Sequence, residues 1–365
     1  MNLESLRAEF PILEDCAYLN AGTFGPLPHR SVAAQIAQLE REREKGRAGM
    51  RYYTRMGELR QAARLGIADA IGADASDIAL TRSTGEGCAI VVNGLGLSPG
   101  DEVVTTDIEH YGLLGPLAMS GATLRLARIR DKPANEAAAA ISDLVGPRTC
   151  LIALSHVAWS TGQVLPVEEL TTLGVPLLVD GAQSAGAIPV DAAKLGCDFY
   201  TVSGQKWLLG PDATGGLYVR ADQVAELAST VPSYFGRTDH DEFGSATFVD
   251  GAARFEPGAL PLPSLAALVE SLQLQSDVGE ERFTRARAQA ERCRRLLSER
   301  GIDVLTEPNQ ATLVAFRVPE PGANVVDRLA EAGVLIREIP ELGWLRASVG
   351  FWTSDEELGR LSEAL

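Results

Sequence analysis

Short apolar runs recur along this chain, each bounded by turns and followed by a segment with helical periodicity. Glu102–Thr106, Thr149–Ser155 and Pro176–Asp180 are runs of this kind. Their length and apolar character are typical of strands that helices cover on both faces. The alternation therefore predicts a mostly parallel sheet in an α/β fold.

Three longer segments have the periodicity of helices. Residues 31–45 form a polar helix with one apolar stripe, and residues 58–71 form a second helix that ends at Gly72. A long helical stretch is predicted for residues 264–300. The stripe of the first helix consists of Val32, Ile36 and Leu39.

Polar residues stand where two strands of the predicted sheet end. The run Val175–Asp180 ends in a carboxylate, and a strand that stops at Ser203 is followed by Lys206 before a Gly-Pro turn. Pyridoxal phosphate (PLP) chemistry requires such a pair, because the amine links to the aldehyde while the carboxylate keeps the ring nitrogen protonated. A surface lysine and a helix-capping aspartate are the structural alternative. The dense flanking motif favours the cofactor site.

These segments resemble the class V, cysteine-desulfurase-like group of PLP enzymes, which have the type I aminotransferase fold. The resemblance runs from about Tyr18 to Glu357 and is most specific at Val179–Gly186 and Ser203–Trp207. Within the group, Leu154–Pro166 is most similar to bacterial L-cysteine/cystine carbon–sulfur lyases. The resemblance implies a type I PLP-dependent transferase fold, with a mostly parallel seven-stranded sheet in a large domain and a smaller α+β C-terminal domain.

A change of composition near Phe255 indicates where the large domain ends. The proline-rich segment 256–263 precedes the long helical stretch, and strands are predicted at Thr312–Val318 and Leu345–Gly350. We expect three parts: an N-terminal segment that packs with the small domain, a large PLP-binding domain and a small C-terminal domain, at residues 1–15, 16–257 and 258–365.

The phosphate of the cofactor is expected at the start of a helix. Thr81–Val92 begins with small hydroxylated residues and glycine, which suits an anion at a helix N-terminus, although a plain capping sequence is an alternative. By resemblance, Thr84, Gly85, Ser203 and Gln205 bind the phosphate. Gln205 replaces the histidine of most relatives. Gly258 and Ala259 match a glycine-threonine pair that reaches the phosphate of the neighbouring subunit.

The resemblance also assigns the residues around the cofactor ring and the substrate. His110 and Lys206 act in catalysis together with Asp180, and His110 stacks on the ring. Further ring contacts are Gln183, which bonds the phenolic oxygen, and Trp159, which stands where persulfide-forming desulfurases carry asparagine. Arg346 matches the arginine that binds the amino-acid carboxylate, a role that suits a planar two-pronged group. The remaining substrate-binding assignments are Arg337 and Asn20.

The type of reaction is indicated by a missing residue. Persulfide-forming desulfurases need a cysteine shortly before the strand with the carboxylate arginine. Only eight residues, none of them cysteine, separate Arg337 from Arg346, and the last cysteine is Cys293. We therefore expect a C–S lyase that acts by β-elimination on cysteine, cystine or a related thioether. An aminotransferase, an isopenicillin N epimerase-like, kynureninase-like, desulfurase or selenocysteine-lyase-like activity, and a non-catalytic PLP-binding protein, remain alternatives.

Composition and absent motifs restrict the partners. The net charge of −16 argues against nucleic acid or an anionic membrane as a partner. No leader or membrane-spanning run is evident, so we expect a cytoplasmic protein. The five cysteines lack C-x-x-C spacing, which supports neither a disulfide framework nor a metal site. Dinucleotide-binding and serine-hydrolase motifs fail in spacing. A small amino-acid substrate and a homodimer with shared active sites are expected.

Overall fold

The computed structural model describes residues 3–365 and contains the predicted large sheet. Its seven strands are β1 (Ile78–Thr81), β2 (Glu102–Thr106), β3 (Thr123–Ala127), β4 (Thr149–Ser155), β5 (Leu177–Asp180), β6 (Phe199–Ser203) and β7 (Gly215–Val219). They lie in the order β1-β7-β6-β5-β4-β2-β3. Strand β7 runs antiparallel to both neighbours, and all other adjacent pairs are parallel.

Helices cover both faces of this sheet, as the apolar runs predict. Along β4, Leu151 and Ala153 belong to one core cluster, whereas Ile152 and Leu154 belong to another. Successive strand residues thus point to opposite buried faces. The longer helices are α1 (His29–Lys45), α2 (Gly49–Ile71), α3 (Thr84–Gly94), α4 (Tyr111–Met119), α5 (Leu262–Val278), α6 (Glu281–Glu299), α7 (Gly322–Glu331) and α8 (Asp355–Ala364).

Two of the predicted helices have different bounds from those expected. Helix α2 begins at Gly49, nine residues before the predicted start, and continues through Gly57, because an isolated glycine costs a helix only about 1 kcal/mol relative to alanine. The stretch 264–300 is two helices, since Gly279 adopts a left-handed φ of 74° at the end of α5. Helix α1 forms as predicted, but its apolar stripe is exposed.

A second, smaller sheet forms the C-terminal α+β part of the fold. Its strands are β8 (Asp303–Val304), β9 (Leu313–Arg317), β10 (Arg337–Ile339) and β11 (Trp344–Ser348). They lie in the order β8-β9-β11-β10 and are all antiparallel. A separate apolar cluster that includes Val314, Phe316 and Leu345 packs beneath it.

The N-terminal segment packs against residues near the C-terminus and against the loop that carries Lys206. Phe10 lies 5.6 Å from Trp352, ring centre to ring centre, and Arg7 forms an ion pair with Glu357 at 3.0 Å. Phe10 also shares its apolar cluster with Trp207, which follows Lys206. Residues 1 and 2 of the predicted segment lie outside the described part of the chain, and the domain limits stay a prediction. No helix within residues 3–365 has the length and apolarity needed to cross a bilayer.

Candidate active site

A cavity of about 370 Å³ lies at the carboxyl ends of the large-sheet strands and is closed by β10 and β11. This edge is where open α/β sheets bind ligands. Ten of the predicted residues line the cavity: Thr84, Gly85, His110, Trp159, Gln183, Ser203, Gln205, Lys206, Arg337 and Arg346. The other lining residues are Gly22, Thr23, Phe24, Ser83 and Gly112.

Lys206 lines the cavity, and the buried Asp180, which is near enough to interact with Lys206, is not among the lining residues. Asp180 ends β5 and is buried, and its Oδ1 accepts the amide of Ala182 at 2.8 Å. Burial raises the pKa of Asp180, and the nearby Lys206 opposes this rise. Burial lowers the pKa of Lys206 to about 8, Asp180 opposes this shift, and Arg346 and Arg337 add to it. The lysine is therefore unprotonated to a larger extent near neutral pH than an ordinary lysine.

A close backbone approach fixes the loop that carries Lys206. The amide of Gly25 donates to the carbonyl oxygen of Gln205 at 2.8 Å. A Cβ at Gly25 would lie 2.1 Å from the carbonyl oxygen of Lys206, so only glycine fits there. The N-terminal residues 22–25 thus form one wall of the cavity against the lysine loop.

The side chain of Gln183 is held by two hydrogen bonds. Its Nε2 donates to the carbonyl oxygen of Gly22 at 2.8 Å, and its Oε1 accepts from Nε1 of Trp207 at 2.9 Å. These bonds fix which end of the amide is the donor. A second Nε2 hydrogen remains for an acceptor in the cavity, as a bond to the phenolic oxygen of PLP requires.

The protonation state of His110 follows from its contacts. It caps α4, where its Nδ1 accepts the amide of Gly112 at 3.0 Å. Burial, together with Lys206, Arg337 and Arg346, lowers the pKa of His110 to about 4. The neutral ring therefore carries its proton on Nε2. It meets Trp159 edge to face, with ring centres 5.2 Å apart.

The opposite end of the cavity has donors suited to a phosphate. Ser83, one residue before the predicted pair, is the side-chain cap of α3 and accepts the amide of Glu86 at 3.1 Å. Thr84 and Gly85 form the first turn, where backbone amides have no partner within the helix. Across from them, Ser203 donates to Oε1 of Gln205 at 2.8 Å. No acidic side chain from residues 3–365 lines the cavity.

Two arginines form the small-sheet wall. Arg346, buried in β11, donates through Nη1 to the carbonyl oxygen of Trp159 at 2.6 Å, and its buried Nε has no partner among the described residues. Burial and Arg337 lower the pKa of Arg346 to about 9. Arg337 lies over the ring of Trp159 at 5.7 Å. None of the ion pairs formed within residues 3–365 includes either arginine.

Thr23, which the sequence analysis missed, connects these arginines to Asn20. Its Oγ1 accepts from Nη2 of Arg346 at 3.3 Å and from Nη1 of Arg337 at 3.5 Å. The same hydroxyl donates to Oδ1 of Asn20 at 2.8 Å. Asn20 is not among the lining residues, so its link to the cavity runs through Thr23. The only sequence signal for Thr23 was its position three residues after the predicted substrate-binding residue Asn20.

Gly258 and Ala259 do not line the cavity of their own chain. The carbonyl oxygen of Gly258 accepts from Nη1 of Arg60 at 3.4 Å, beside the buried ion pair of Arg60 with Glu256. The other phosphate candidates all line the cavity. The contact of Gly258 and Ala259 with a neighbouring subunit stays a prediction.

Comparison with known proteins identifies the family. The model of the family "Aminotransferase class-V" matches residues 18–360. The chain belongs to this family. Isopenicillin N epimerase from Streptomyces clavuligerus is 31% identical over 95% of this chain and 93% of its own length. A probable cysteine desulfurase from Methanothermobacter thermautotrophicus is 29% identical over 100% of this chain and 98% of its own length.

Solved structures of the family confirm the predicted fold and cofactor. The cystine C-S lyase C-DES is 32% identical to this chain, with a TM-score of 0.92, in two structures. One is a lysine-to-alanine mutant with glycine covalently linked to the PLP cofactor, and covers 98% of this chain and 99% of that chain. The other, a complex with the reaction product cysteine persulfide, covers 97% and 99%. The protein is a PLP-dependent enzyme with the type I fold. The residues of the cavity fit this cofactor: the Lys206 amine could bind its aldehyde, and the amides of Thr84 and Gly85 could bind its phosphate.

Proposed function

We propose that this enzyme is a C–S lyase that cleaves cysteine, cystine or a related thioether amino acid by β-elimination, without a cysteine nucleophile. The observation that carries the proposal is the segment between Arg337 and Arg346. It consists of β10, one short helical turn and the start of β11, and it contains no cysteine. A loop that could bring a thiolate to the substrate sulfur is therefore missing from the position where the persulfide route needs it.

The five cysteines lie elsewhere and are poorly suited to be nucleophiles. None lines the cavity, and all except the half-buried Cys150 are buried. Burial raises the pKa of Cys197 and Cys293 to about 12, and that of Cys88 well above its ordinary value. Cys150 is the second residue of β4, so it lies near the end of the strand opposite to the cavity. Thiolates are the reactive form, and these environments disfavour them.

The chain's own residues can then be given roles. PLP supplies an electron sink that acidifies the α-carbon of a bound amino acid. We assign Lys206 Nζ to removal of the α-proton, and the carboxylate of Asp180 to holding the proton on the ring nitrogen. Arg346 and Arg337 would bind the substrate carboxylate, while the neutral His110 ring would cover the cofactor and offer its Nε2 proton. Loss of the sulfur group would give an unsaturated amine, which water converts to pyruvate and ammonia.

The phosphate end of the cofactor has its own proposed set of residues. Thr84 and Gly85 would bind the phosphate through the free amides of the first turn of α3. Ser203 and Gln205 would donate from the lysine loop. Gln183 would give its second Nε2 hydrogen to the phenolic oxygen.

A homodimer with shared active sites is part of the proposal. Gly258 lies outside its own cavity, and the apolar stripe of α1 is exposed, as are Tyr111 and Met119 of α4, the helix that His110 caps. A second copy of the chain that covers these surfaces could bring Gly258 and Ala259 to the neighbouring phosphate. Light scattering at assay concentration should then show a dimer, and a fully active monomer would reject the shared site.

Epimerisation is the second candidate, because two relatives that are 31% identical are named isopenicillin N epimerase. An epimerase would use the same lysine to remove the α-proton but would return a proton to the opposite face. It would leave the carbon skeleton and the sulfur in place. The two activities therefore differ in their products.

Product analysis of the purified enzyme separates these candidates. We expect each substrate to give pyruvate and ammonia in equal amounts. Cysteine should also release sulfide, cystine should give sulfide after its persulfide product is reduced, and a thioether should release the corresponding thiol. Recovered substrate should keep its configuration. Inverted substrate without pyruvate would favour the epimerase, and alanine with protein-bound sulfur would favour a desulfurase.

A further inference from the structure

Glu109 is a buried carboxylate beside the cavity that neither the sequence motifs nor the proposed reaction includes. It follows β2 and directly precedes His110. Only 6% of its surface is exposed. An acidic residue buried to this degree requires hydrogen-bond partners, since an unpaired buried carboxylate is strongly destabilising.

Three donors from two neighbouring strands satisfy this carboxylate. Oε1 accepts the hydroxyl of Thr106 at 2.5 Å, and Oε2 accepts both the hydroxyl of Ser155 at 2.5 Å and its amide at 2.9 Å. Thr106 is the last residue of β2 and Ser155 the last residue of β4. The side chain of Glu109 therefore ties the turn that follows β2 to the end of the adjacent strand.

The turn held in this way carries His110 into the cavity. Its other end is fixed by α4, through the bond between His110 Nδ1 and the amide of Gly112. Glu109 lies between β2 and His110, and its hydrogen bonds are the nearest ones before His110 in the chain that hold this turn to the sheet. Loss of the carboxylate would free this side of the turn while the helix side stayed in place.

We propose that Glu109 is a positioning residue, whose carboxylate holds the turn after β2 so that the His110 ring keeps its place against Trp159 in the cofactor cavity. The proposal rests on the proposed function to the extent that His110 is taken to cover the cofactor ring. It does not depend on which bond of the substrate is cleaved.

A different role for Glu109 would be electrostatic. Burial raises the pKa of Glu109 to about 7, and the negative charge of Asp180 contributes to this rise. If the charge of Glu109 acted on Asp180, its neutral amide analogue would behave like a deletion. If position is what matters, glutamine should suffice, because its oxygen can accept from Ser155 while its Nε2 donates to Thr106 Oγ1.

The test compares Glu109→Ala and Glu109→Gln in the holoenzyme. A matched control is Asp198→Ala, which removes a buried carboxylate that accepts the amide of Leu177 at 2.6 Å and pairs with Arg220. Asp198 lies at the amino ends of β5 and β6, away from the carboxyl ends that line the cavity. Ser155→Ala, which removes one of the three donors, supplies a milder variant if Glu109→Ala does not fold. The readouts are visible circular dichroism of bound PLP, kcat for any substrate that is turned over, and melting temperature.

We expect Glu109→Ala to change the circular dichroism of the cofactor and to lower kcat at least tenfold, with Ser155→Ala intermediate. Glu109→Gln should restore both to within about threefold of the parent. Asp198→Ala should lower the melting temperature and leave the cofactor signal unchanged. The proposal is overturned if glutamine is as damaging as alanine, or if Glu109→Ala alters only the melting temperature. Because the cofactor signal is read without substrate, failure here is distinct from failure of the lyase assignment.

Discussion

The large-sheet side and the small-sheet side of the active site differ in how many of their polar groups have hydrogen-bond partners within the protein. On the large-sheet side, Gln183 makes two hydrogen bonds to protein atoms, and the Asp180 carboxylate accepts a backbone amide and faces Lys206. On the small-sheet side, Arg346 keeps a buried Nε without a partner, and two guanidinium groups share one threonine hydroxyl. The cofactor side is thus preorganised, while the arginine side has donors left for a ligand that brings a carboxylate.

Removal of Lys206 should give the largest effect, because it breaks the cofactor side. Lys206→Ala should lose turnover and the borohydride-reducible link between the protein and PLP. Lys194→Ala, at an exposed lysine, is the control and should keep both. The measurement is borohydride trapping followed by peptide mass analysis. A reducible link that persists in Lys206→Ala would place the cofactor lysine elsewhere.

Substitution of Arg346 tests the small-sheet side, where the substrate carboxylate is expected to bind. Arg346→Lys should keep the yellow colour of bound PLP but raise KM roughly ten- to hundredfold, because one charged hydrogen bond, worth about 1.5–3 kcal/mol, is lost. Steady-state kinetics and cofactor titration measure the two properties separately. An unchanged KM would move the carboxylate site away from β11.

The lowered pKa of Lys206 predicts how cofactor uptake depends on pH. The unprotonated amine attacks the aldehyde, so the rate at which the apoenzyme incorporates PLP should rise about tenfold between pH 7 and pH 9, as the fraction of free amine increases around pH 8. Stopped-flow absorbance gives this rate. A rate that rises about a hundredfold over this range without levelling off, as the free-amine fraction of an ordinary lysine does, would contradict the buried, cation-flanked environment.

Substitution of Thr23 should have the smallest effect on catalysis, and it tests whether the shared hydroxyl holds the two arginines in place. Thr23→Val keeps the shape but removes the shared acceptor of the two arginines. We expect KM to rise about three- to tenfold, because Thr23 positions the two guanidinium groups and does not itself bind the substrate carboxylate. Thr23→Ser should restore the parent value. Equal KM values in all three proteins would mean that the arginines hold their positions without this hydroxyl.

The sequence predicted the two sides of the site unequally well. The positions of the cofactor-side candidates could be predicted, because Asp180 and Ser203 end buried strands whose apolar runs are visible in the sequence and Lys206 follows the second of them. Thr23 and Glu109 could not be found in this way. Their roles depend on contacts with β10, β11 and the end of β4, which lie far away in the chain. The break at Gly279 was missed because good helix-forming residues continue on both sides of it.

Lysine, aspartate and arginine positions alone do not distinguish a lyase from a desulfurase, because both would use them. The difference lies in whether any thiol of the protein takes the substrate sulfur. The variant that addresses this directly has all five cysteines replaced by serine or alanine, at Cys16, Cys88, Cys150, Cys197 and Cys293.

The most direct test is therefore the product that this cysteine-free enzyme forms from cysteine or cystine, measured beside the parent enzyme. We expect both proteins to release pyruvate at similar rates per folded, PLP-loaded subunit, with alanine at most a minor product. If the parent yields alanine and retains sulfur on the protein, and one cysteine replacement abolishes that reaction, the enzyme is a desulfurase whose nucleophile lies outside the segment between Arg337 and Arg346.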